Sequence, residues 1–375
     1  MAGETAATRT RLLVLYGGRS AEHEVSCISA LHVARAVDPR RYDLRMVGIT
    51  TDGRWLDATA ALAAGAGATA LPSPDDLAVA GALDAADGPP AGSLEPVEAV
   101  TSGAGGSGLI VVFPLLHGPM GEDGTVQGLL EVAGVPYCGP GVAGSAAAMD
   151  KGMAKALFRA AGIPQARHAL LREGEIDDRR LERVGAELGW PVFVKPANLG
   201  SSIGVSRAAD PSELEAAVET ALRYDEFVVI EEAIRGRELE IGVLGWPELR
   251  ASVPGEIKPS RDFYDFEDKY LSGAAGLEIP ADVPAGVAEE MRRLAVEACR
   301  ALRVDGMARV DFFFEDPGRG LLVNEVNTIP GFTPVSMYPQ LWAASGIPYD
   351  ELVDELVGQA LRRAERRGRF EVRRQ

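Results

Sequence analysis

Two stretches late in the sequence carry oxygen donors at alternate positions. LLVNEVNTIPG places Glu325 and Asn327 two residues apart at the end of an apolar run, and RVDFFF places Arg309 and Asp311 in the same way. Side chains two apart on a strand share a face, so two antiparallel strands would bring Asp311, Glu325 and Asn327 together. Oxygen donors without Cys or His suit a hard cation such as Mg²⁺. The same residues also fit a surface ion pair between Arg309 and Asp311 followed by an ordinary turn.

The stretch VKPANLGSSIGVS is the second place where chemistry is indicated. Its loop would expose backbone N–H groups that can surround phosphate oxygens, and Lys195 supplies positive charge one strand earlier. The small residues of this loop are Gly200, Ser201, Ser202 and Gly204. It is not a Walker A loop, because GK[ST] is absent, nor a dinucleotide fingerprint, because G-x-G-x-x-G is absent. Taken alone, the pattern also fits a hairpin tip without a ligand.

Three other charged residues each have two interpretations. In EFVVIEEAI, Glu231 and Glu232 stand where an apolar strand emerges, so that backbone groups there can meet an adenine edge while a carboxylate binds ribose hydroxyls. Two solvated glutamates at a strand end are the simpler interpretation. In AMDKGMAKALF, Lys151 lies on a helix of small apolar residues, where a lysine usually extends along the surface into water.

The composition bounds the class of protein. With 375 residues, 46% hydrophobic and 25% charged, the chain suits two or three domains with large cores. The net charge of −17 argues against a general nucleic-acid binder, which needs a basic surface. The cysteines are widely spaced without a CxxC and predict buried thiols: Cys27, Cys138 and Cys299. No signal-peptide pattern opens the chain and no apolar run has membrane-spanning length, so the sequence predicts a cytoplasmic protein.

The order of apolar runs and turns predicts an α/β protein with α+β parts. RLLVLYGG followed by a helical pattern predicts a Rossmann-like parallel α/β domain over 9–139, with Ser20 as the N-cap of its first helix. Within it, the Ala/Gly/Pro-rich stretch 58–108 predicts a variable surface excursion without a site. Residues 140–234 are predicted to form a central unit that contains the phosphate hairpin. Residues 235–363 are predicted to form a third unit that contains the metal-binding strands, and 364–375 a basic tail.

These features occur together in the order found in the ATP-grasp superfamily, and the chain closely resembles the D-alanine–D-alanine ligases. The resemblance spans about residues 11–350 and implies an ATP-grasp fold of three domains. It rests on GGRSAEHEVS, LHGPMGEDGTVQG, YCGPG, MDKGMAK, VKPANLGSSIGVS, FYDFEDKY, ARVDFFF and NEVNTIPGFTPVSMYP, in that order. It implies that ATP drives the joining of two D-alanines through a D-alanyl phosphate, for peptidoglycan precursor synthesis.

The resemblance also assigns residues to ATP and its metal ions. It implies that Asp311, Glu325 and Asn327 hold two Mg²⁺ (or Mn²⁺) ions between the β- and γ-phosphates. The residues that it implies for ATP are Lys151, Lys195, Ser201, Ser202, Glu231, Glu232, Ala233, Ile234, Glu238 and Lys269. Phosphoryl transfer needs charge neutralisation and alignment, which lysines, metal ions and backbone donors supply. Some members of the family carry Lys in place of Glu232, so the adenine contact there is expected to use the backbone.

A second set of residues is implied for the amino-acid substrate and its chemistry: Glu22, His117, Ser201, Tyr270, Arg309, Gly331, Ser336 and Met337. By resemblance, Glu22 meets the ammonium group of the first D-alanine, with His117 nearby. Arg309 and the Gly331 amide face the developing oxyanion. Ser336 and Met337 bind the carboxylate of the second D-alanine. The stretch FYDFEDKYLSGAAG, with Lys269 and Tyr270, matches the mobile loop that shields the acyl phosphate from water.

Several functions stay open from the sequence. Ligases that join D-Ala to D-lactate or D-Ser are alternatives within the family, and the intact DKY motif favours D-Ala over D-lactate. A regulatory protein that kept only the nucleotide cleft would be expected to have lost Glu22, Arg309 or a metal ligand, and none is missing. A nicotinamide oxidoreductase would need the fingerprint glycines. The resemblance implies D-alanine and ATP as partners, no nucleic acid or membrane, and a homodimer.

Overall fold

The computed structural model describes residues 9–64, 68–84, 93–101, 109–258 and 276–371. The first of its β-sheets is five-stranded, in the order β4-β3-β2-β1-β5. Its strands are β1 (Thr10–Gly17), β2 (Tyr42–Ile49), β3 (Trp55–Asp57), β4 (Ser93–Leu94) and β5 (Ile110–Pro114). Strand β1 is parallel to β2 and β5, whereas β3 and β4 add an antiparallel edge. The predicted Rossmann-like parallel core is confirmed.

The turn after β1 carries Glu22. A Cβ on Gly17, whose φ is +86°, would lie 2.4 Å from the Ile49 carbonyl oxygen, so only glycine fits there. Helix α1 (His23–Ala36) follows, with Glu22 in the N-cap position. The prediction of Ser20 as the N-cap is wrong. Its Oγ accepts a hydrogen bond from the Glu22 N–H (3.2 Å) and tightens the turn before the helix begins.

The segment 58–108, predicted as a surface excursion, enters the core where the structure describes it. Ala99 and Val100 are fully buried. The Asp75 carboxylate accepts hydrogen bonds from the backbone and hydroxyl of Thr51, at 3.1 and 2.9 Å. The helices of this segment are α2 (Ala61–Ala64), α3 (Pro74–Asp84) and α4 (Pro96–Thr101). An alanine-rich composition resembles that of a linker, but small apolar side chains also pack closely, which is why the prediction fails here.

The second sheet is antiparallel and four-stranded, in the order β6-β9-β7-β8. Its strands are β6 (His168–Arg172), β7 (Val192–Pro196), β8 (Ser206–Ala208) and β9 (Phe227–Glu232). The hairpin predicted around the glycine- and serine-rich loop is confirmed as the antiparallel pair β7 and β8. Three helices precede this sheet in the chain: α5 (Thr125–Ala133), α6 (Val142–Met149) and α7 (Lys151–Ala160). Between its strands the chain forms a short 3₁₀ turn (Glu173–Glu175), α8 (Asp178–Leu188) and α9 (Pro211–Ala221).

The third sheet is antiparallel, in the order β12-β11-β10-β13-β14. Its strands are β10 (Arg237–Gly245), β11 (Arg250–Lys258), β12 (Gly276–Glu278), β13 (Gly306–Glu315) and β14 (Gly320–Asn327). Its helices are α10 (Ala285–Leu302), α11 (Met337–Ala344) and α12 (Tyr349–Arg367). Because α12 continues to Arg367, the start of the predicted basic tail is helical.

Two shared cores hold the sheets around one cleft. Helix α12 contributes Leu352 and Leu356 to the same core as Leu12 and Phe113 of the first sheet. Helix α7 contributes Phe158 to the core of the third sheet. Packing therefore crosses the predicted unit boundaries, since the first core joins β1 to α12 and the second joins α7 to β13 and β14.

The cysteine prediction is confirmed, since Cys27, Cys138 and Cys299 are free and buried. Burial raises the pKa of the Cys138 thiol to about 12, which keeps it protonated and unreactive. Within the described parts of the chain, no helix is both long and apolar enough to cross a membrane.

Arg363 of α12 is expected to be a stability determinant. It is buried, and it donates to the Tyr137 and Gly139 carbonyls and to Asp305, at 2.7, 2.6 and 2.7 Å. Arg363→Met leaves these acceptors without their donor, so the free energy of unfolding should fall by about 3 kcal/mol. Urea unfolding followed by circular dichroism measures this change. In the matched control Arg362→Met, which removes an exposed arginine from the same helix, the change should stay within about 0.5 kcal/mol. Equal effects would contradict the role given to Arg363.

Candidate active site

A row of carboxylates crosses three neighbouring strands of the third sheet. Glu240 on β10 is paired with Asp311 on β13, and Asp311 is paired with Glu325 on β14. In the adjacent row, Arg309 is paired with Asn327. Directly opposed residues of antiparallel strands point to one face, so these side chains lie on the same side of the sheet. The structure confirms that antiparallel pairing brings Asp311, Glu325 and Asn327 to one face, and it adds Glu240, which the sequence analysis missed.

Arg309 ties this row together. Its Nε and Nη2 donate to the two Asp311 carboxylate oxygens, each at 2.7 Å, and Nε lies 3.0 Å from Glu240 Oε2. Burial disfavours the charge, but Asp311 and Glu240 outweigh burial and hold the pKa of Arg309 well above its ordinary value. The ion pair considered as the alternative interpretation therefore exists. It lies inside the cleft rather than on the surface, since the Arg309 side chain is only 19% exposed.

The donor set at the strand ends fits a hard cation. Asp311 and Glu325 offer carboxylate oxygens and Asn327 an amide oxygen, which are ligands of the kind that Mg²⁺ prefers. No group of three or more His, Cys, Asp or Glu side chains in the described residues is arranged to hold a metal ion. Mg²⁺ in proteins is commonly held by one or two carboxylates together with water and substrate phosphates. Asn327 Nδ2 donates to Asp311 at 2.9 Å, which fixes the amide orientation in the structure.

The loop between β7 and β8 adopts a strained conformation. Ser201 and Ser202 have φ of +51° and +59°, in the left-handed region that side chains other than glycine rarely occupy. Lys151, the first residue of α7, holds the loop: its N–H donates to the Ala197 carbonyl at 3.0 Å and its Nζ to the Leu199 carbonyl at 2.5 Å. Lys151 is therefore not an ordinary surface lysine. Strain of this kind is concentrated at ligand-binding loops.

A buried ion-pair cluster lies beneath the loop. Lys195 Nζ lies 2.7 Å from Glu231 Oε2, and Lys155 Nζ lies 2.6 Å from Glu231 Oε1. Burial opposes ionisation of Glu231, but the two lysines outweigh it and hold the pKa of this carboxyl far below its ordinary value. Burial likewise acts to lower the pKa of Lys195, and Glu231 reverses this and raises it. Lys155 was missed by the sequence analysis, although its spacing of four from Lys151 places both on one helix face.

The strand end predicted for adenine has its side chains already paired. Glu232 accepts from Arg167 Nε at 2.8 Å and from Arg319 Nη1 at 2.6 Å, so neither Glu231 nor Glu232 is a solvated glutamate. The Ala233 N–H donates to the Pro191 carbonyl at 3.1 Å. These contacts are compatible with base recognition through the remaining backbone groups up to Ile234. Glu238, predicted for the ribose, is half-buried on β10 and near enough to Lys195 to influence its charge.

Glu22 borders a cavity of about 240 Å³ between the first sheet and the loop. Its lining includes Arg19, Ser20, Glu22, Pro119, Gly200 and Tyr224. The Ser201 hydroxyl donates to Glu22 Oε1 and so joins the loop to the turn before α1. His117 Nδ1 lies 3.0 Å from the Ile329 carbonyl oxygen, which assigns the proton to Nδ1. The buried Nε2 of His117 has no hydrogen-bond partner among the described residues, and burial lowers the pKa of this imidazole.

Glu122 is a further carboxylate near this cavity that the sequence analysis did not assign. One of its oxygens accepts from the Gly118 N–H at 2.9 Å. Burial, with Glu22 as the next cause, raises its pKa to about 8. Its motif, LHGPMGEDGTVQG, indicated the neighbourhood, but nothing in the spacing separates Glu122 from a surface glutamate.

The residues predicted for the second substrate lie at the start of α11. The Ser336 Oγ lies 2.8 Å from the Thr333 hydroxyl, and a Cβ on Gly331 would lie 3.1 Å from this oxygen. The Met337 side chain is buried, so only its backbone is available to a ligand. Backbone N–H groups at a helix N-terminus suit an anionic group. Lys269 and Tyr270 lie outside the described residues.

Family models match most of the chain. A model described as D-ala D-ala ligase N-terminus matches residues 11–140, and one described as D-ala D-ala ligase C-terminus matches residues 157–358. A D-alanine–D-alanine ligase of Mycobacterium sp. (strain JLS) is 49% identical over 375 residues, covering 95% of this chain and 97% of the relative. One of Geobacillus kaustophilus (strain HTA426) is 46% identical over 364 residues, covering 95% of each.

Solved structures give the same result. The D-alanine-D-alanine ligase from Coxiella burnetii aligns with a TM-score of 0.80 at 34% identity, covering 96% of this chain and 97% of that one. The VanG D-Ala:D-Ser ligase from Enterococcus faecalis aligns with a TM-score of 0.78 at 31% identity, covering 94% and 100%. The fold and the cleft define an ATP-dependent ligase of the ATP-grasp class. The chain belongs to the D-alanine–D-alanine ligase family.

Proposed function

We propose that the protein joins two D-alanines into D-alanyl-D-alanine while ATP is converted to ADP and phosphate, as a step in peptidoglycan precursor synthesis. One observation carries the proposal: a single cleft holds the phosphate hairpin with Lys151 and Lys195 on one side and the Glu240–Asp311–Glu325 row with Arg309 on the other. Family membership over nearly the whole chain supports the identity of the substrates.

The nucleotide would lie between the second and third sheets. Lys151 and Lys195, with the amides around Ser201 and Ser202, would bind its phosphates. Asp311, Glu325 and Asn327 would hold Mg²⁺, which when bound neutralises phosphate charge and favours in-line transfer. Backbone groups from Glu231 to Ile234 would meet the adenine and Glu238 the ribose. The lysines and the bound cation would together offset the phosphate charge during transfer to a carboxylate.

The first D-alanine would bind at the cavity beside Glu22. Its ammonium group would donate to the Glu22 carboxylate and to His117 Nε2, the buried acceptor that lacks a partner in the described residues. Its carboxylate oxygen then attacks the γ-phosphorus, and the bond to the ADP oxygen breaks. Glu22 and His117 would orient this carboxylate, and burial, which lowers the pKa of His117, disfavours transfer of the ammonium proton to Nε2.

In the second step, the neutral amine of the second D-alanine attacks the acyl phosphate carbonyl, the carbon–oxygen bond to phosphate breaks, and the proton that the nitrogen loses leaves with the phosphate. Arg309, fixed by Asp311 and Glu240, would face the negative charge that develops on the carbonyl oxygen, together with the Gly331 amide. The N-terminus of α11, at Ser336 and Met337, would bind the second carboxylate. Lys269 and Tyr270 would close over the acyl phosphate, and their presence favours an amine over the hydroxyl of D-lactate as the nucleophile.

The likeness to a D-Ala:D-Ser ligase supports a second candidate function, the joining of D-Ala to D-Ser in place of the second D-Ala. We also propose a homodimer acting in the cytoplasm, where ATP is available. Phosphate release from ATP and Mg²⁺ should be measured without amino acid and with L-Ala, D-Ala, D-Ala plus D-Ser, and D-Ala plus D-lactate, with products identified by mass. Release that requires D-Ala and yields its dipeptide is expected. Nucleotide binding without turnover in every mixture would overturn the proposal.

Glu22→Gln is expected to weaken the first D-alanine site selectively. The amide keeps the size of the side chain but loses the charge that faces the ammonium group, so the KM for the first D-Ala should rise by about ten- to a hundredfold. The KM for ATP should change little. Initial rates with each substrate varied in turn measure both constants. A rise in both KM values to the same degree would show that Glu22 supports the loop through Ser201 rather than binding the substrate.

A further inference from the structure

Lys155 is a buried lysine to which the proposed chemistry gives no role. Its side chain is 2% exposed, whereas that of Lys195 is 15% exposed, and the two lysines contact opposite oxygens of Glu231. The carboxylate therefore has one lysine on its inner side and one on the side of the cleft. The rest of α7 is fixed as well, because Asp150 caps its first turn and Gln165 Nε2 donates to the Lys155 carbonyl at 2.9 Å.

The charges of this cluster do not cancel. Two lysines and one glutamate leave a net charge of about +1 in a site with little water, whereas Lys195 and Glu231 alone would form a neutral pair. When Lys195 turns toward a phosphate, Glu231 loses one of its two partners. Without Lys155 it would then be a buried carboxylate with no counter-charge, which is strongly unfavourable. Phosphate binding would be weaker, because this unfavourable free energy would oppose it.

We propose that Lys155 is a positioning residue that neutralises Glu231, so that Lys195 is available to the nucleotide polyphosphate. The inference rests on the proposed function, because it takes a nucleotide as the ligand of Lys195. It assigns Lys155 no contact with ATP. Its effect should grow with the number of phosphates and should be small for adenosine, which does not engage Lys195.

Calorimetric titration of the full chain with ATP, ADP and adenosine, each with Mg²⁺, tests the inference. For Lys155→Met, the affinities for ATP and ADP should fall by about tenfold or more, while that for adenosine changes by less than about threefold. Arg159→Met is the matched control, since it removes an exposed positive charge from the same helix. A purely structural role for Lys155 would lower the three affinities together, and that outcome would overturn the inference.

The double variant Lys155→Met/Glu231→Gln keeps the test decisive even if Lys155→Met fails to fold. When Glu231 is replaced by glutamine, Lys155 has no negative charge to neutralise. The double variant and the single variant Glu231→Gln should therefore have the same ratio of ADP affinity to adenosine affinity. A double variant that loses a further tenfold in this ratio would overturn the inference. Wild-type protein that binds no nucleotide would instead overturn the proposed function.

Discussion

Arg309→Met is expected to lower kcat by about a thousandfold, because it removes a charged donor from the position where negative charge develops in the second step. The effect should be larger than that of losing one donor, since Arg309 also separates Asp311 from Glu240. Without it, these carboxylates would repel each other and shift the metal ligands. Turnover is measured as phosphate release dependent on ATP and D-Ala, with thermal unfolding followed in parallel.

Arg309→Lys is the matched control for charge. A lysine keeps the positive charge but lacks the planar fork that contacts Asp311 through two nitrogens. We expect Arg309→Lys to retain the folded structure and to recover only a small part of the lost activity. Full recovery would show that charge alone suffices, and it would remove the assignment of an oriented donor. Near-normal activity of Arg309→Met would remove Arg309 from the chemistry altogether.

Strand register was the most predictable part of the site. Alternation places Arg309 with Asp311 and Glu325 with Asn327 on single faces, and antiparallel pairing then leaves few possible arrangements. The phosphate hairpin was predictable for a similar reason, since small residues between two apolar runs need a turn. Local rules therefore account for the two walls of the cleft.

Contacts between distant elements were not predictable in this way. Lys155 lies 76 positions before Glu231 in the sequence, and no periodic pattern links a helix to a strand at that distance. Glu240 follows Glu238 at the spacing of a strand face and could have been found by the argument applied to Glu325. The packing of the alanine-rich residues of 58–108 could not have been predicted, because composition alone does not distinguish a linker from a closely packed edge.

The structure also shows why single charged residues were ambiguous in sequence. Glu231 and Glu232 are neighbours, yet one is neutralised by two buried lysines and the other by two more exposed arginines. Their partners come from different elements, with Lys195 on β7, Lys155 on α7, Arg167 just before β6 and Arg319 between β13 and β14. The resemblance to a family assigned both residues to the nucleotide, but it did not predict these ion pairs.

Lys195→Ala is expected to abolish measurable ligation, with kcat/KM for ATP lowered by at least about a thousandfold. The side chain lies at the cleft side of Glu231, and its raised pKa keeps it charged. The variant should still fold, because Lys155 continues to neutralise Glu231 at 2.6 Å. Loss of activity can then be attributed to the missing phosphate contact. Initial rates against ATP concentration, with circular dichroism as a check of folding, measure this effect.

Arg172→Ala provides the matched control for Lys195→Ala. It removes an exposed cation from the same sheet, where Arg172 pairs with Glu226 at 2.8 Å, away from the loop. Its kinetics should match the wild type, because exposed ion pairs contribute little to stability or to a distant site. If Lys195→Ala kept near-normal turnover, the phosphate assignment would be wrong. Lys151 would then be the cation of the described residues at this loop that remains for the phosphates, beside the bound metal ion.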